Sequence, residues 1–213
     1  TFFLYWQGRF KEAVESYEAS VPDVDKLPEG RFPILAAITA GYCYAQIGQV
    51  TQGLGMLDAI RNVCLDRGDL YLASYCDGNM GAIMISIRRF EEALKYLKCS
   101  SKEAKKASND WVLINSLIMY AYVYYLLGDK TKCLRDLKAF LDKSQKVQAT
   151  VQPYPFLLEL SMAMEQNDLP RVEGLSLREE INRKLRGKNL YMKGVAYRYK
   201  SYLQRLENQP TEK

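Results

Sequence analysis

The chain has 213 residues, 30 Lys and Arg against 25 Asp and Glu, and no histidine. A hydrophobic share of 48% with 26% charged residues is that of a folded globular chain and excludes a disordered one. No apolar run reaches the ~20 residues that cross a bilayer, and the missing imidazole removes the commonest general base and zinc ligand.

In chain order, residues 1–7 read as the tail of a helix stopped by Gly8. A chain that begins TFFLYW, without methionine or signal peptide, is expected to be a piece of a longer cytoplasmic protein. Phe10, Ala13, Val14 and Tyr17 lie at i, i+3, i+4, i+7 and predict a helix over 10–20. Residues 21–31 hold Pro22, Pro28 and Gly30 and predict the longest loop. Helices follow over 32–47, from a Thr51 N-cap to 66, and over 70–87, 90–107, 110–127 and 131–147. Gly48, the Arg67-Gly68-Asp69 turn and Asn109-Asp110 separate them. Pro153 and Pro155 open a further helix to Gln166, and Asn167-Asp168-Leu169-Pro170 ends it. Residues 171–186 read as an irregular helix with Ser176 capping toward Glu179, and 189–206 as the last helix. The tail from 207 is polar and expected to be disordered.

The five cysteines, Cys43, Cys64, Cys76, Cys99 and Cys133, are odd in number and show no CxxC spacing, so buried, reduced thiols are expected. The charge is uneven. Residues 171–213 carry 11 Lys and Arg against 5 Asp and Glu, which reads as a solvated outer face or a patch for an acidic partner.

One text recurs: GRFKEAVESY from Gly8, GQVTQGLGML from Gly48, RRFEEALKYL from Arg88 and GDKTKCLRDL from Gly128, each 40 residues after the last. A fixed period of this size is the mark of stacked helix pairs. The first helix of each pair carries a small residue and a bulky one three later: Gly41 and Tyr44, Gly81 and Met84, Ala121 and Tyr124, Ser161 and Met164, Gly194 and Tyr197. The second carries a small residue and a large one four later: Ala13 and Tyr17, Gly53 and Leu57, Ala93 and Leu97, Cys133 and Leu137. The small residue lets two helices touch and the large one fills the space beside the contact.

These spacings resemble the tetratricopeptide repeat (TPR) family, over residues 1–206. The family's usual tryptophan and closing proline are largely missing, and the 40-residue period resembles the long-helix variety of MalT-like activators and bacterial signalling ATPases. The resemblance is strongest in the second to fourth repeats and weakest over 168–187. It implies an all-α fold: a right-handed superhelical α-solenoid of about five antiparallel helix pairs, in one domain over 1–206. It also implies a non-catalytic interaction, scaffold or sensor module of a bacterial signalling or transcription regulator, with no cofactor.

Carrying the family's groove positions over gives Leu35, Ile38, Tyr42 and Gln46, then Tyr75, Gly78, Ala82 and Ser86, then Asn115, Ile118, Tyr122 and Tyr125. Later repeats add Leu158, Met162 and Gln166, then Tyr191, Arg198 and Tyr199. The set lacks the Lys, Arg and Asn pattern that holds chaperone C-termini. A tyrosine-rich concavity suits a peptide or protein partner, including other domains of the parent chain, because rigid amphipathic rings give contact area at low entropy cost. Uncovered apolar ends would favour a homodimer. Two further readings stay open: a small-molecule inducer held by Tyr42, Tyr75 and Tyr122, and nucleic-acid contact through Arg183, Lys184, Arg186 and Lys188. The second has no recognisable motif behind it, and no membrane role is expected. No phosphate loop, nucleophile elbow or metal signature occurs; Glu91/Glu92 and Glu179/Glu180 are neighbours about 100° apart on a helix and read as solvated charges. Glu103, Lys106 and Asp110 read as a surface charge cluster.

Overall fold

The computed structural model describes residues 1–20, 31–147 and 154–207. The expected loop over 21–30, Pro153 and the tail from 208 lie outside the described residues. Among those described there are eleven α-helices and no strand. They are α1 (Phe2–Trp6), α2 (Phe10–Ser20), α3 (Arg31–Gln46), α4 (Val50–Asp66), α5 (Leu70–Ser86), α6 (Phe90–Lys106), α7 (Asp110–Leu126), α8 (Lys130–Val147), α9 (Phe156–Glu165), α10 (Leu177–Arg186) and α11 (Leu190–Glu207). No described helix is long and apolar enough to cross a membrane. Two compact units are formed: one of residues 1–5 and 9–147, the other of residues 6–8 and 154–207.

The helices of the first unit end alike. Residues 48, 68, 88, 108 and 128 all have positive φ, between 53° and 94°, so the turn recurs every 20 residues, twice as often as the sequence repeat. At each, the next N–H reaches back five residues: Gln49 to Tyr44 O, Asp69 to Cys64 O, Arg89 to Met84 O, Asn109 to Ala104 O and Asp129 to Tyr124 O, at 2.8–2.9 Å. This is the Schellman closure, which satisfies carbonyls that the helix leaves open. That reaching residue also starts the next helix. Asp69, Asn109 and Asp129 accept from Leu72, Val112 and Lys132 N–H with their side chains. Helix α4 is entered from Gln49 without a side-chain cap, so Thr51 is not its N-cap.

Two kinds of helix alternate. In α5 every residue from Leu72 to Ile85 except Tyr75 is buried, and α7 has no exposed residue from Trp111 to Leu126. In α4 and α6 the buried residues form one stripe: Gly53, Met56, Leu57, Ile60 and Cys64, then Ala93, Leu97, Ser100 and Ala104. A helix buried on all sides belongs to an interior and a striped one to a surface. Accordingly α3, α5 and α7 pack on one another as an inner row, and α4, α6 and α8 pack onto that row rather than side by side.

The small–large pairs of the second helices, from Ala13 and Tyr17 to Cys133 and Leu137, are all buried. A Cβ on Gly81 would stand 2.9 Å from Leu97 Cδ2, and one on Gly41 2.8 Å from Leu57 Cγ, so these glycines mark true crossings. Gly194 and Tyr197 do not follow. Gly194 has open space where a Cβ would stand and Tyr197 is 60% exposed. In the second unit Met192, Ala196 and Tyr199 turn inward instead and pack with Leu158, Met162, Leu177 and Ile181. The helix expected from 171 begins only at Leu177, because Gly174 takes φ +79° and Ser176 is extended where it caps Glu179 N–H. Of the cysteines, Cys99 is exposed and the other four are buried; all are free thiols.

Candidate functional site

The outer helices leave clefts between them, and two successive clefts of the first unit differ. Between α4 and α6, Arg61 spans the cleft. Its Nε donates to Asp77 Oδ1 on α5 at 2.8 Å and its terminal nitrogen to Glu103 Oε1 on α6 at 3.4 Å. Asp77 is buried and Glu103 nearly so, and one oxygen on each, Oδ2 and Oε2, meets no donor. Burial lifts the Asp77 carboxyl to about 7; Arg61 opposes the shift and the neighbouring Glu103 carboxyl adds to it.

Between α6 and α8 the cleft is open and encloses about 940 Å³, at the upper end of the ~300–1,000 Å³ usual for ligand clefts. Its floor is Leu113, Leu117, Tyr120 and Tyr124 of α7, at i, i+4, i+7 and i+11, all half-buried. Tyr120 and Tyr124 stack at 6.2 Å with 14° between their planes, and burial raises the Tyr120 hydroxyl to about 12. One wall is the lysine face of α6: Lys98, Lys102, Lys105 and Lys106. None of the four forms an ion pair among the described residues, and all are exposed. Lys105 and Lys106 complement the negative end of their helix, but Lys98 and Lys102 sit too far from that end to be explained so. On the α8 wall the cations are paired. Arg135 donates to both oxygens of Asp136, at 2.7 and 3.0 Å, and Lys143 meets Asp110 at 3.5 Å.

The residues carried over from the TPR resemblance lie elsewhere. Ile38 and Ile118 are 1% exposed, and Tyr42, Ala82 and Asn115 are also buried, so none of these offers a side chain to a partner in this conformation. Tyr42 is held edge-on by Tyr5 at 5.8 Å and by Phe10 at 6.3 Å. Leu35, Gln46, Tyr75, Tyr122 and Tyr125 are half-buried. Tyr75 stacks on Trp111 at 5.1 Å, joining α5 to α7. Tyr42, Tyr75 and Tyr122, proposed above as an inducer pocket, take no part in lining the open cleft. In the second unit Leu158 and Met162 belong to the core, Tyr191 is 39% exposed, and Arg198 pairs with Glu159 at 3.7 Å.

The expected cluster of Glu103, Lys106 and Asp110 does not form. Glu103 turns inward to Arg61 and Asp110 joins Lys143, while Lys106 faces the cleft. The basic face of α6 lies outside the excess found from residue 171 onward. The signal there was the spacing of Lys98, Lys102, Lys105 and Lys106, one face of a helix whose opposite face is apolar. Among the described residues no cluster of Cys, Asp or Glu is arranged to hold a metal ion. Comparison of the chain with family models, with curated proteins and with solved structures finds no match.

Proposed function

We propose that this chain is a non-catalytic, TPR-like module that holds a segment of another protein, or of another domain of its parent chain, in the cleft between α6 and α8. The observation that carries the reading is an apolar, tyrosine-bearing floor left uncovered between two helices of an otherwise well-packed unit. Half-exposed leucines and stacked tyrosines gain little from water and much from a partner's side chains. The 40-residue sequence period and the inner and outer rows of the first unit support a solenoid of helix pairs.

A selection from a displayed random-peptide library against the whole chain tests it. Enriched peptides are expected to bind, and Leu117→Glu is expected to weaken them about thirtyfold, the loss of one central apolar contact. Peptides that bind Leu117→Glu as well as the original chain would move the site away from this cleft.

A further inference from the structure

Setting the two clefts in register through the 40-residue repeat shows why one is closed and one open. The strap across the first is Arg61, Asp77 and Glu103. Forty residues on, the same places hold Ser101, Leu117 and Lys143, and all three line the open cleft. The spanning arginine has become a serine too short to cross. The buried carboxyl that anchored it has become a leucine of the floor, and the receiving glutamate has become a lysine of the wall. The floor is therefore bare because each member of the strap has been replaced, not because helices are missing.

Resting on the module reading above, we propose that the strap's place is taken in trans by an acidic amphipathic helix of a protein partner. Its apolar side would lie on Leu113, Leu117 and Tyr120, and its carboxylates would meet Lys98, Lys102 and Lys105. Charge complementarity selects this occupant. The α6 wall presents four cations with no internal partner, whereas the α8 wall balances its own and adds Asp142. A nucleic-acid backbone or an anionic membrane is negative throughout and would meet the exposed Asp142 across the cleft. A helix with acids along one edge meets only the lysines. The floor stripe runs from 113 to 124, so about three turns of partner helix are covered.

The test uses the full chain and fluorescence anisotropy of a labelled helical peptide of about three turns, with leucines on one face and glutamates along its edge. Its lysine-for-glutamate counterpart, a short single-stranded oligonucleotide and phosphatidylserine vesicles are the competing probes. The acidic peptide is expected to bind, to weaken as salt rises, and to lose at least tenfold in affinity with Lys98→Glu/Lys102→Glu, which alters only exposed side chains. The graft Ser101→Arg/Leu117→Asp/Lys143→Glu rebuilds the strap and is expected to abolish binding while the melting temperature holds. Preference for the lysine peptide, the oligonucleotide or the vesicles, lost on grafting, would overturn the acidic helix while leaving the cleft as the site. Acidic-peptide binding that survives both the graft and the lysine reversals would overturn the cleft itself.

Discussion

Gly53 and Gly55 lie on the same helix, one turned into the α3–α4 crossing and the other to solvent, so one substitution tests the packing with its own control. A Cβ on Gly53 would fall within contact distance of Gly41 O, 3.1 Å from Ala45 N and 3.3 Å from Ala45 Cβ. These are backbone or Cβ atoms, so no rotamer can move aside and the helices themselves must part. Overpacking of this kind costs about 1–3 kcal/mol, against about 0.5–1 kcal/mol gained when Ala replaces Gly within a helix. Gly53→Ala is therefore expected to destabilise the first unit by about 1–2 kcal/mol, lowering its melting temperature by several degrees. Gly55 has open space around it, so Gly55→Ala keeps the helix gain alone and is expected to raise stability by about 0.5–1 kcal/mol. Urea denaturation followed through Trp111, in a Trp6→Phe background, reads the first unit by itself. Two substitutions that shift stability in the same direction and by the same amount would refute the close approach of α3 and α4.

Ser108 holds φ +53° where residues 48, 68 and 128 are glycine. Ser108→Gly is expected to gain about 1 kcal/mol by removing the left-handed penalty, and a loss in the same denaturation assay would count against the shared turn. The Asp77 carboxyl is raised in the folded state to about 7, with Arg61, Glu103, Tyr96 and Cys99 around it. Its contribution is therefore full below the ordinary carboxylate range and is lost as pH rises toward 7, at up to about 1.4 kcal/mol per pH unit. Asp77→Asn keeps a donor toward Glu103 and an acceptor for Arg61 at every pH. Its urea midpoint is expected to stay flat from pH 5 to pH 8 while that of the parent chain falls; parallel profiles would dismiss the raised Asp77 carboxyl.

Much of the fold was readable because its determinants are local. A turn that closes a helix needs one residue tolerant of positive φ and one short polar cap, and Gly68-Asp69 and Gly128-Asp129 state this in adjacent letters. The small–large pairs were legible for the same reason, since positions four apart share a helix face. Where a contact needs a neighbour, the pattern misled. Gly194 and Tyr197 have the right spacing, but the second unit packs α11 through Met192, Ala196 and Tyr199 instead.

The cleft belongs wholly to tertiary structure. Leu113 and Leu117 would be covered if a side chain like Arg61 crossed above them; with Ser101 in that place they are left half-bare. The sequence by itself determined the helices, their turns and their 40-residue rhythm, because these follow from backbone sterics and from side chains a few positions apart. Only the packed structure decided which Lys stripe goes unpaired and which apolar stripe goes uncovered, because both depend on distances between helices that no local pattern contains.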